Sequence, residues 1–508
     1  MKMVKSLLLG SAAGLVAIAG AQAADIPVKA KPVQYVKICS LYGVGFYYIP
    51  GTDMCIKVGG WVREELFWAP GGSGTTSIMN GQANTRATAN YGSTARGYIT
   101  ADARNQTAYG TVRAYIAVGL NTNSNAANLN AANQFSANRA FIQWAGFTFG
   151  LAQSFFDGFS TAATQYWGDY PASDTGDPGW TVASYTAQFG NGLSATIGIE
   201  DARRTQIIGS DAAGVVPTIG GAVAPGAFPF GVTATAGTTN VGQGAYGGAQ
   251  APDVVGNIRL DQAWGSAQVM AAWHDVNPGY YGAGTLTAVS GHPSDESGWA
   301  AGAFVKLNAP MIGKGDYLQA EFAYSQGAMR YIFRNPNNNW GMRDGSSQSF
   351  GVLSDGVYFG SNGATTNTNV QLTTGWHVDA AYEHFWNAQW RTSVYGGYGE
   401  VSYNAQANAI LCSIIGGGNA TGVGTAAVAT AGCNNDWSTW WLGSRTQWNV
   451  TSDFYMGVDV MYLAMNTATT FNGLTQTPIA SGGTAVTHSI ADQDNWQVKF
   501  RVHKDFYP

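Results

Sequence analysis

An all-β fold, closed into a sixteen-stranded antiparallel transmembrane β-barrel, is what this sequence predicts, and three observations carry the prediction. The first is strict alternation. In Ser93–Arg104, the side chains of Arg96, Tyr98, Thr100, Asp102 and Arg104 share one face, while Ala95, Gly97, Ile99, Ala101 and Ala103 share the other. Successive side chains on a strand point to opposite faces, so each such segment has one polar and one apolar side. The second is that the polar side carries arginines, which a dry sandwich core does not accept unpaired. Apolar residues outside and charges inside suit a barrel set in lipid around water. The third is rhythm: very short turns and long polar loops take turns along the chain.

The elements follow in order. Strands are expected at Ile56–Trp68, Ser93–Arg104, Tyr109–Leu120, Ser136–Ala145 and Thr148–Phe156. In Tyr109–Leu120, Thr111, Arg113 and Tyr115 oppose Val112, Ala114, Ile116, Val118 and Leu120. Thr181–Gly190 and Leu193–Arg203 form a hairpin across Asn191-Gly192, a pair suited to a two-residue left-handed turn. Val254–Trp264 and Ala267–Val276 meet at Gly265, and Trp299–Leu307 and Tyr317–Ser325 follow. Gln371–Trp386 pairs with Gln389–Tyr403 across Asn387-Ala388, and Trp437–Val450 with Phe454–Met465 across Thr451–Asp453. Trp496–Phe506 closes the barrel. Trp496, Val498, Phe500, Val502 and Phe506 face one way; Gln497, Lys499, Arg501 and His503 face the other. Only Lys504 interrupts the apolar face, close enough to the end to snorkel.

An even strand number with both termini on the periplasmic side puts every short turn there and every long loop outside. Those loops are Pro70–Gly92, Asn121–Phe135, Asp157–Trp180, Arg204–Asp253, Asn277–Gly298, Gly327–Val370, Asn404–Asp436 and Asn466–Asn495. The fourth has no charged residue between Asp211 and Asp253, and is read as a loop folded over the surface.

Bulk composition agrees. Charged residues are 11% of the chain, against roughly 25% in soluble proteins, while Gly reaches 68, Trp 17 and Tyr 25. Abundant Tyr and Trp suit the interfacial girdles of a membrane barrel. The long apolar run lies at the very start, where Lys2, Lys5, Leu7–Ala21 and Ala21-Gln22-Ala23 read as a secretory signal peptide cut after Ala23. The expected organisation is thus signal peptide 1–23, N-terminal segment 24–54 and barrel 55–508. Subtracting the two leader lysines from 25 basic residues leaves 23 against 30 acidic, a formal charge of −7. That balance argues against nucleic acid as a partner and for a mild preference for cations, which the placement of loop charges could reverse.

Export makes disulfides permissible. Cys39 with Cys55, and Cys412 with Cys433, are the favoured pairs because each is local; the other two connectivities remain open. No Cys-x-x-Cys spacing supports a metal site.

At Tyr35–Arg63 the chain reads YVKICSLYGVGFYYIPGTDMCIKVGGWVR, and at Phe147–Phe159 FTFGLAQSFFDGF. With the leader and the closing aromatic strand, these segments resemble the alphaproteobacterial general porin family of the bacterial outer membrane. The resemblance implies a homotrimer of sixteen-stranded barrels, sitting in outer-membrane lipid and admitting small hydrophilic solutes by passive diffusion. It also implies that the third long loop folds into the lumen. Such barrels usually end on an aromatic residue read by the barrel assembly machinery. Here the end is Phe506-Tyr507-Pro508, with the aromatics displaced inward.

A diffusion pore makes no bonds, so no catalytic residue and no cofactor are expected; what matters is which residues shape its field. Placed on a closed barrel, Lys499 and Arg501 neighbour Arg63, followed by Arg96 and Arg104, Arg113 and Arg139, all on the lumen-facing parity. The inward loop 157–180 contributes Asp157, Asp169, Asp174 and Asp177 and no base, and Pro171 and Pro178 keep it out of strand structure. Opposed charges across a narrow aqueous gap make a transverse field that orients dipolar solutes and filters ions. Hydration of the lumen, or pairing among the charges, is the plainer reading of the same residues.

Other constellations weigh less. His377, Asp379 and Glu383 share one strand face and could ligate a metal or do acid–base work, but a hydrated wall explains them equally. Gly43-x-Gly45 and Gly397-x-Gly399 lack the strand-to-helix setting of a dinucleotide site. A membrane-embedded hydrolase needs a Ser–His pair on the outer face, where His384 is the one candidate histidine within the firm strands. A sugar-selective channel would use an aromatic ladder, for which Tyr98, Tyr115, Tyr395 and Trp441 have inward parity. An energised transporter would need a large N-terminal plug, for which Ala24–Met54 is too short. If the loop acids oppose the basic wall, Asp169→Asn with Asp174→Asn shifts the reversal potential in a salt gradient towards anions; an unchanged potential removes both from the filter.

Overall fold

The computed structural model describes residues 37–68, 82–83, 90–123, 134–158, 161–167, 179–210, 246–281, 291–333, 339–340, 342–344, 347–349, 351–360, 367–415, 434–468, 474–476 and 486–506. Sixteen strands form the barrel. They are β1 Cys55–Trp68, β2 Tyr91–Thr107, β3 Gly110–Asn123, β4 Gln134–Trp144, β5 Phe147–Ala152, β6 Trp180–Gly190, β7 Leu193–Glu200 and β8 Asp253–Gln262. The second half comprises β9 Gly265–Val276, β10 Glu296–Asn308, β11 Tyr317–Gln326, β12 Thr374–Phe385, β13 Trp390–Ser402, β14 Trp437–Thr451, β15 Phe454–Asn466 and β16 Gln493–Asp505. Each pairs antiparallel with the next. Val498–Asp505 of β16 then returns to Trp68–Trp61 of β1 and closes the sheet.

Every expected strand is present. Some strands run longer than expected, β2 on to Thr107, β10 from Glu296 and β16 from Gln493, whereas β5, β7 and β12 are shorter because a loop has claimed the residues. β5 stops at Ala152 and β7 at Glu200 because the chain turns inward there, Phe156 donating its N–H to Ser154 Oγ at 3.1 Å. Gln371–Leu372 leaves the barrel to pair with Gly356–Val357, so β12 starts at Thr374.

The alternation sorts the side chains as expected. Val62, Ile99, Ile116, Ile142, Ile197, Ile258, Val269, Phe322, Val394 and Leu442 stand exposed on the outside. So much contiguous apolar surface is a liability in water and a match for lipid. No helix among the described residues is long and apolar enough to cross a membrane; the strands cross it. Aromatic rings band the extracellular end, in contact from Trp299 to Tyr324, Trp376 to Tyr398, Trp440 to Tyr462 and Tyr462 to Trp496. At the other end Trp390 stacks on Trp448, with ring centroids 5.7 Å apart. Amphipathic rings favour the headgroup level, so the two bands mark the interfaces.

Short turns hold the periplasmic end. Asn191 and Gly192 take φ of 50° and 76°, the left-handed pair that a two-residue hairpin needs. A Cβ at Gly192 would sit 1.9 Å from the Asp261 carbonyl oxygen, so glycine is required. Lys504, on the outer face, pairs with Asp453 in the β14–β15 turn.

Ahead of the barrel, Lys37–Ile38 pairs with Tyr47–Tyr48, which pairs with the start of β1. Cys39 and Cys55 form a disulfide around the buried Phe46. The Arg104 guanidinium lies 5.0 Å from the Phe46 ring centroid, which seats this segment against the periplasmic mouth. The signal peptide, Tyr507, Pro508 and Cys433 lie outside the described residues. Cys412 sits in helix Ala405–Ile415, where its sulfur accepts a hydrogen bond from Asn435 Nδ2 at 3.4 Å.

The apolar core is inside the barrel. Loop residues Phe156, Ile208, Met329, Tyr331, Ile332, Phe333, Leu353, Phe359, Ile410 and Leu411 pack on lumen-facing Phe304, Ala323, Tyr395, Trp437, Trp441 and Met461. Two loops also join as a sheet, Ile207–Ser210 running parallel to Gly356–Phe359. Of loop 204–253, residues 211–245 lie outside the described residues.

The longest of the described periplasmic turns, 309–316, is tied by Asp316, whose carboxylate accepts the Phe385 N–H at 2.9 Å, the Tyr382 hydroxyl and His384 Nδ1 at 2.7 Å. Desolvation acts to raise its pKa, but these hydrogen bonds prevail and hold the carboxyl below the usual aspartate range. A carboxylate with a depressed folded-state pKa stabilises fully above its unfolded value, about 3.9, and loses that contribution as pH falls through the folded value. Asp316→Asn is therefore expected to lower the urea midpoint of the detergent-solubilised barrel at pH 7. The gap should shrink below about pH 4, and a gap independent of pH would assign the effect to shape alone.

Candidate functional site

The lumen is defined by two unequal walls. In the third long loop, the described residues 153–158 and 161–167 turn inward from β5 and follow one wall. Asn257 Nδ2 of β8 donates to the Phe155 carbonyl at 2.7 Å, and Gln268 Nε2 of β9 donates to it at 3.3 Å. Gly158 lies against Phe304 of β10, where a Cβ would come within 2.5 Å of the Phe304 Cβ. The single helical turn Thr161–Thr164 then meets β12, β13 and β14, the Ser393 hydroxyl of β13 donating to the Thr164 carbonyl and Arg445 Nη1 of β14 to the Ala163 carbonyl at 2.9 Å.

Tyr166 is the deepest anchor. Its N–H donates to Asp459 of β15, and its hydroxyl to Gln447 of β14 at 2.9 Å. Its carbonyl accepts from Lys499 Nζ and Arg501 Nη2 of β16, each at 3.1 Å. Trp167, also buried, lies 4.4 Å from the Lys499 ammonium. Backbone groups that would be orphaned inside a barrel are thus satisfied by wall side chains, which is what permits an irregular segment there.

The opposite wall, β1 to β5, is left half-exposed to the lumen and carries the arginines. They are interleaved with aromatics. Arg63 lies 4.7 Å from the Trp61 ring and Arg96 5.1 Å from Tyr98, while Trp61 stacks on Tyr98. Arg113 lies 5.1 Å from Tyr115, which stacks on Phe141. Stacking fixes the guanidinium planes and leaves their edges for hydrogen bonding. Asp102 sits among them, paired with Arg104 at 2.7 Å and Arg113 at 3.0 Å, so it offsets part of the wall's charge.

The expected site residues therefore fall into two groups. Arg63, Arg96, Arg104, Arg113 and Arg139 stay on the half-exposed wall. Lys499 and Arg501 clamp the loop instead, Arg501 also pairing with Glu65. Asp157 lies at the root of the loop, buried against Arg203 at 3.2 Å, with Arg203 also held by Glu200 at 2.9 Å. It does not face the arginine wall. Asp169, Asp174 and Asp177 lie outside the described residues.

Glu65, Asp102, Arg445 and Asp459 join the site as partners that no sequence motif marks. The parity of each is readable, but their roles depend on which loop lies above them. Tyr395 and Trp441 are buried beneath the loops, Tyr395 bonded to Asp459, so they present no open ladder. His384, held by Asp316 beside Trp386, has no serine among its bonded partners. Glu383 is not beside His377: it binds Arg445, Arg391 at 3.4 Å and the Tyr317 hydroxyl at 2.6 Å. At the extracellular end Asp355 accepts from the N–H groups of Thr205 and Met329, each at 2.8 Å, locking two loops together. Burial pushes its carboxyl up from the usual range.

A closed barrel with a lipid-facing apolar belt, a polar lumen and a loop bound across that lumen defines an outer-membrane channel. The chain belongs to the porin subfamily, whose family pattern it matches over residues 25–498. Among curated relatives, porin Omp2b of Brucella suis biovar 1 (strain 1330) is 32% identical over 284 residues, covering 54% of this chain and 66% of that protein. Porin Omp2b of Brucella melitensis biotype 1 is similar to the same extent. The chain thus spans a little under two thirds of the length of these relatives. The fold is similar to that of the outer membrane channel DcaP of Acinetobacter baumannii, with a TM-score of 0.56 at 11% identity over 90% of this chain and 99% of that one. The family is one of channels, not enzymes.

The anchoring of Tyr166 can be tested by removing its acceptor. Asp459→Ala leaves the Tyr166 N–H and the Tyr395 hydroxyl unpaired, a loss of about 1–3 kcal/mol for a buried partner. Single-channel conductance should rise as the loop tip loosens; an unchanged conductance would show that the tip does not limit flow.

Proposed function

We propose that the chain is a passive diffusion pore for small hydrophilic solutes and ions, constricted where the third long loop faces the arginine wall. The observation that carries this reading is the docking of residues 161–167 onto β12–β16, which narrows the lumen from that side. The loop's two anchored ends also flank the arginines. Trp167 lies beside Lys499, and a Cβ at Gly179 would fall 2.9 Å from Arg139 Nη1. Asp169, Asp174 and Asp177 belong to the stretch joining those ends, which supports pairing them across the gap with Arg63, Arg96, Arg104, Arg113 and Arg139. A sugar-guiding ladder is disfavoured by the burial of Tyr395 and Trp441.

A homotrimer is part of the same proposal. The outward face of β1 to β4 mixes small residues, including Ala95, Gly97, Ala101, Ala114 and Ala140, with larger apolar ones, and Glu64 points outward between Val62 and Leu66. A carboxylate facing lipid is costly, and a subunit contact would shelter it. The rest of the belt meets outer-membrane lipid, delivered there by the barrel assembly machinery. The second cysteine pair, Cys412 with Cys433, is proposed to staple the seventh long loop.

Purified protein added to a planar bilayer should give ohmic conductance in grouped steps of three, with no saturation by any single solute. Failure to conduct would overturn the pore. Strong block by one sugar at low concentration would replace it with a substrate-selective channel.

A further inference from the structure

Away from the arginine wall, Glu321 of β11 and His377 and Asp379 of β12 bring three ligand atoms within 4.8 Å of one another, and all three residues are buried. The ladder explains the meeting. His377 and Asp379 are two apart on one strand and so share the lumen face, and Glu321 lies directly opposite Asp379 in the β11/β12 register. His377 Nε2 is 3.2 Å from Asp379 Oδ1 and 3.6 Å from Glu321 Oε1.

The imidazole is the informative group. It is wholly buried, yet neither ring nitrogen has a hydrogen-bond partner of acceptable geometry. Its cross-strand neighbours explain why: Ala323 on one side and Gly399 on the other offer no polar side chain. Phe333 closes the site from the loop side. A Cβ at Gly399 would meet the Phe333 ring at 2.8 Å and the His377 Cβ at 3.6 Å. Neither β11 nor β12 carries a lysine or arginine. A buried polar group without a partner is costly, and two carboxylates beside it favour a cation.

We propose that Glu321, His377 and Asp379 bind a divalent first-row transition ion in the wall of the channel. One imidazole nitrogen and two carboxylate oxygens suit such an ion better than magnesium or calcium, which prefer oxygen alone. The spacing fits too. Bonds of about 2.0–2.1 Å to a tetrahedral zinc put neighbouring ligand atoms about 3.3 Å apart, and the two contacts of His377 Nε2 lie either side of that value. Water completes the shell. The site lies on the wall that carries the packed loops, so the ion cross-links two strands beneath Phe333 and leaves the conducting side clear.

The proposal is tested by titrating ZnCl2 into the metal-stripped, full-length protein in detergent by calorimetry, with MgCl2 as the control. One saturable zinc equivalent per chain, absent in His377→Ala and weakened at least tenfold in Glu321→Gln, supports it. No saturable zinc binding, or an isotherm unchanged in His377→Ala, overturns it and leaves the histidine as a buried imidazolium between two acids. If His377→Ala does not fold, the cobalt-loaded protein decides: its visible absorption should change in Glu321→Gln and Asp379→Asn, and an unchanged spectrum in both overturns the site. Conductance without added metal should be the same in all folded variants.

Discussion

A strand in a bilayer has no water to satisfy its backbone, so a sheet there must have no free edge. The contact between β16 and β1, Val498–Asp505 against Trp68–Trp61, removes the last one. Much of the molecule depends on that closure. It forces each strand to serve lipid on one face and the lumen on the other, and it brings Arg501 beside Glu65 across residues far apart in sequence. Closure also fixes where loops can go, because a segment entering the lumen must find partners for its own backbone there.

Residues 161–167 solve that problem with charged and polar wall residues and a single helical turn. Tyr166 alone is held through its N–H, carbonyl and hydroxyl. The walls accordingly divide the work. On β8 to β16 the lumen-facing side chains are mostly buried, and serve as a floor for loops and an apolar core. On β1 to β5 the arginines remain half-exposed, and their planes are set by neighbouring rings. A channel needs both: a rigid obstruction and a polar surface left in water.

Strand positions and faces were almost fully legible from the chain, since a period of two is a local property and one face is lipid. Boundaries differed where a loop recruited residues, as at Ala152, Glu200 and Gln371, and where a strand ran on past its alternating core, as at Thr107, Glu296 and Gln493. Site residues were legible by parity and illegible by partner. Lys499 and Arg501 lie on the lumen face as expected, but they grip Tyr166 and Glu65. Asp157 belongs to the inward loop, but the residue that meets it is Arg203. His377 and Asp379 are legible together because they share a strand; the acid that joins them is Glu321, on the strand next door, while Glu383 is engaged by Arg445.

By itself, then, the sequence determined the architecture: sixteen alternating segments, the sides on which turns and loops lie, and the residues that face inward. These follow from short-range periodicity and from the physics of lipid. Only the tertiary structure decided which inward residues remain open to water and which lie under a loop. That depends on where irregular segments dock, and docking is set by pairings such as Tyr166 with Asp459 and Phe333 with Trp437, which no local pattern encodes.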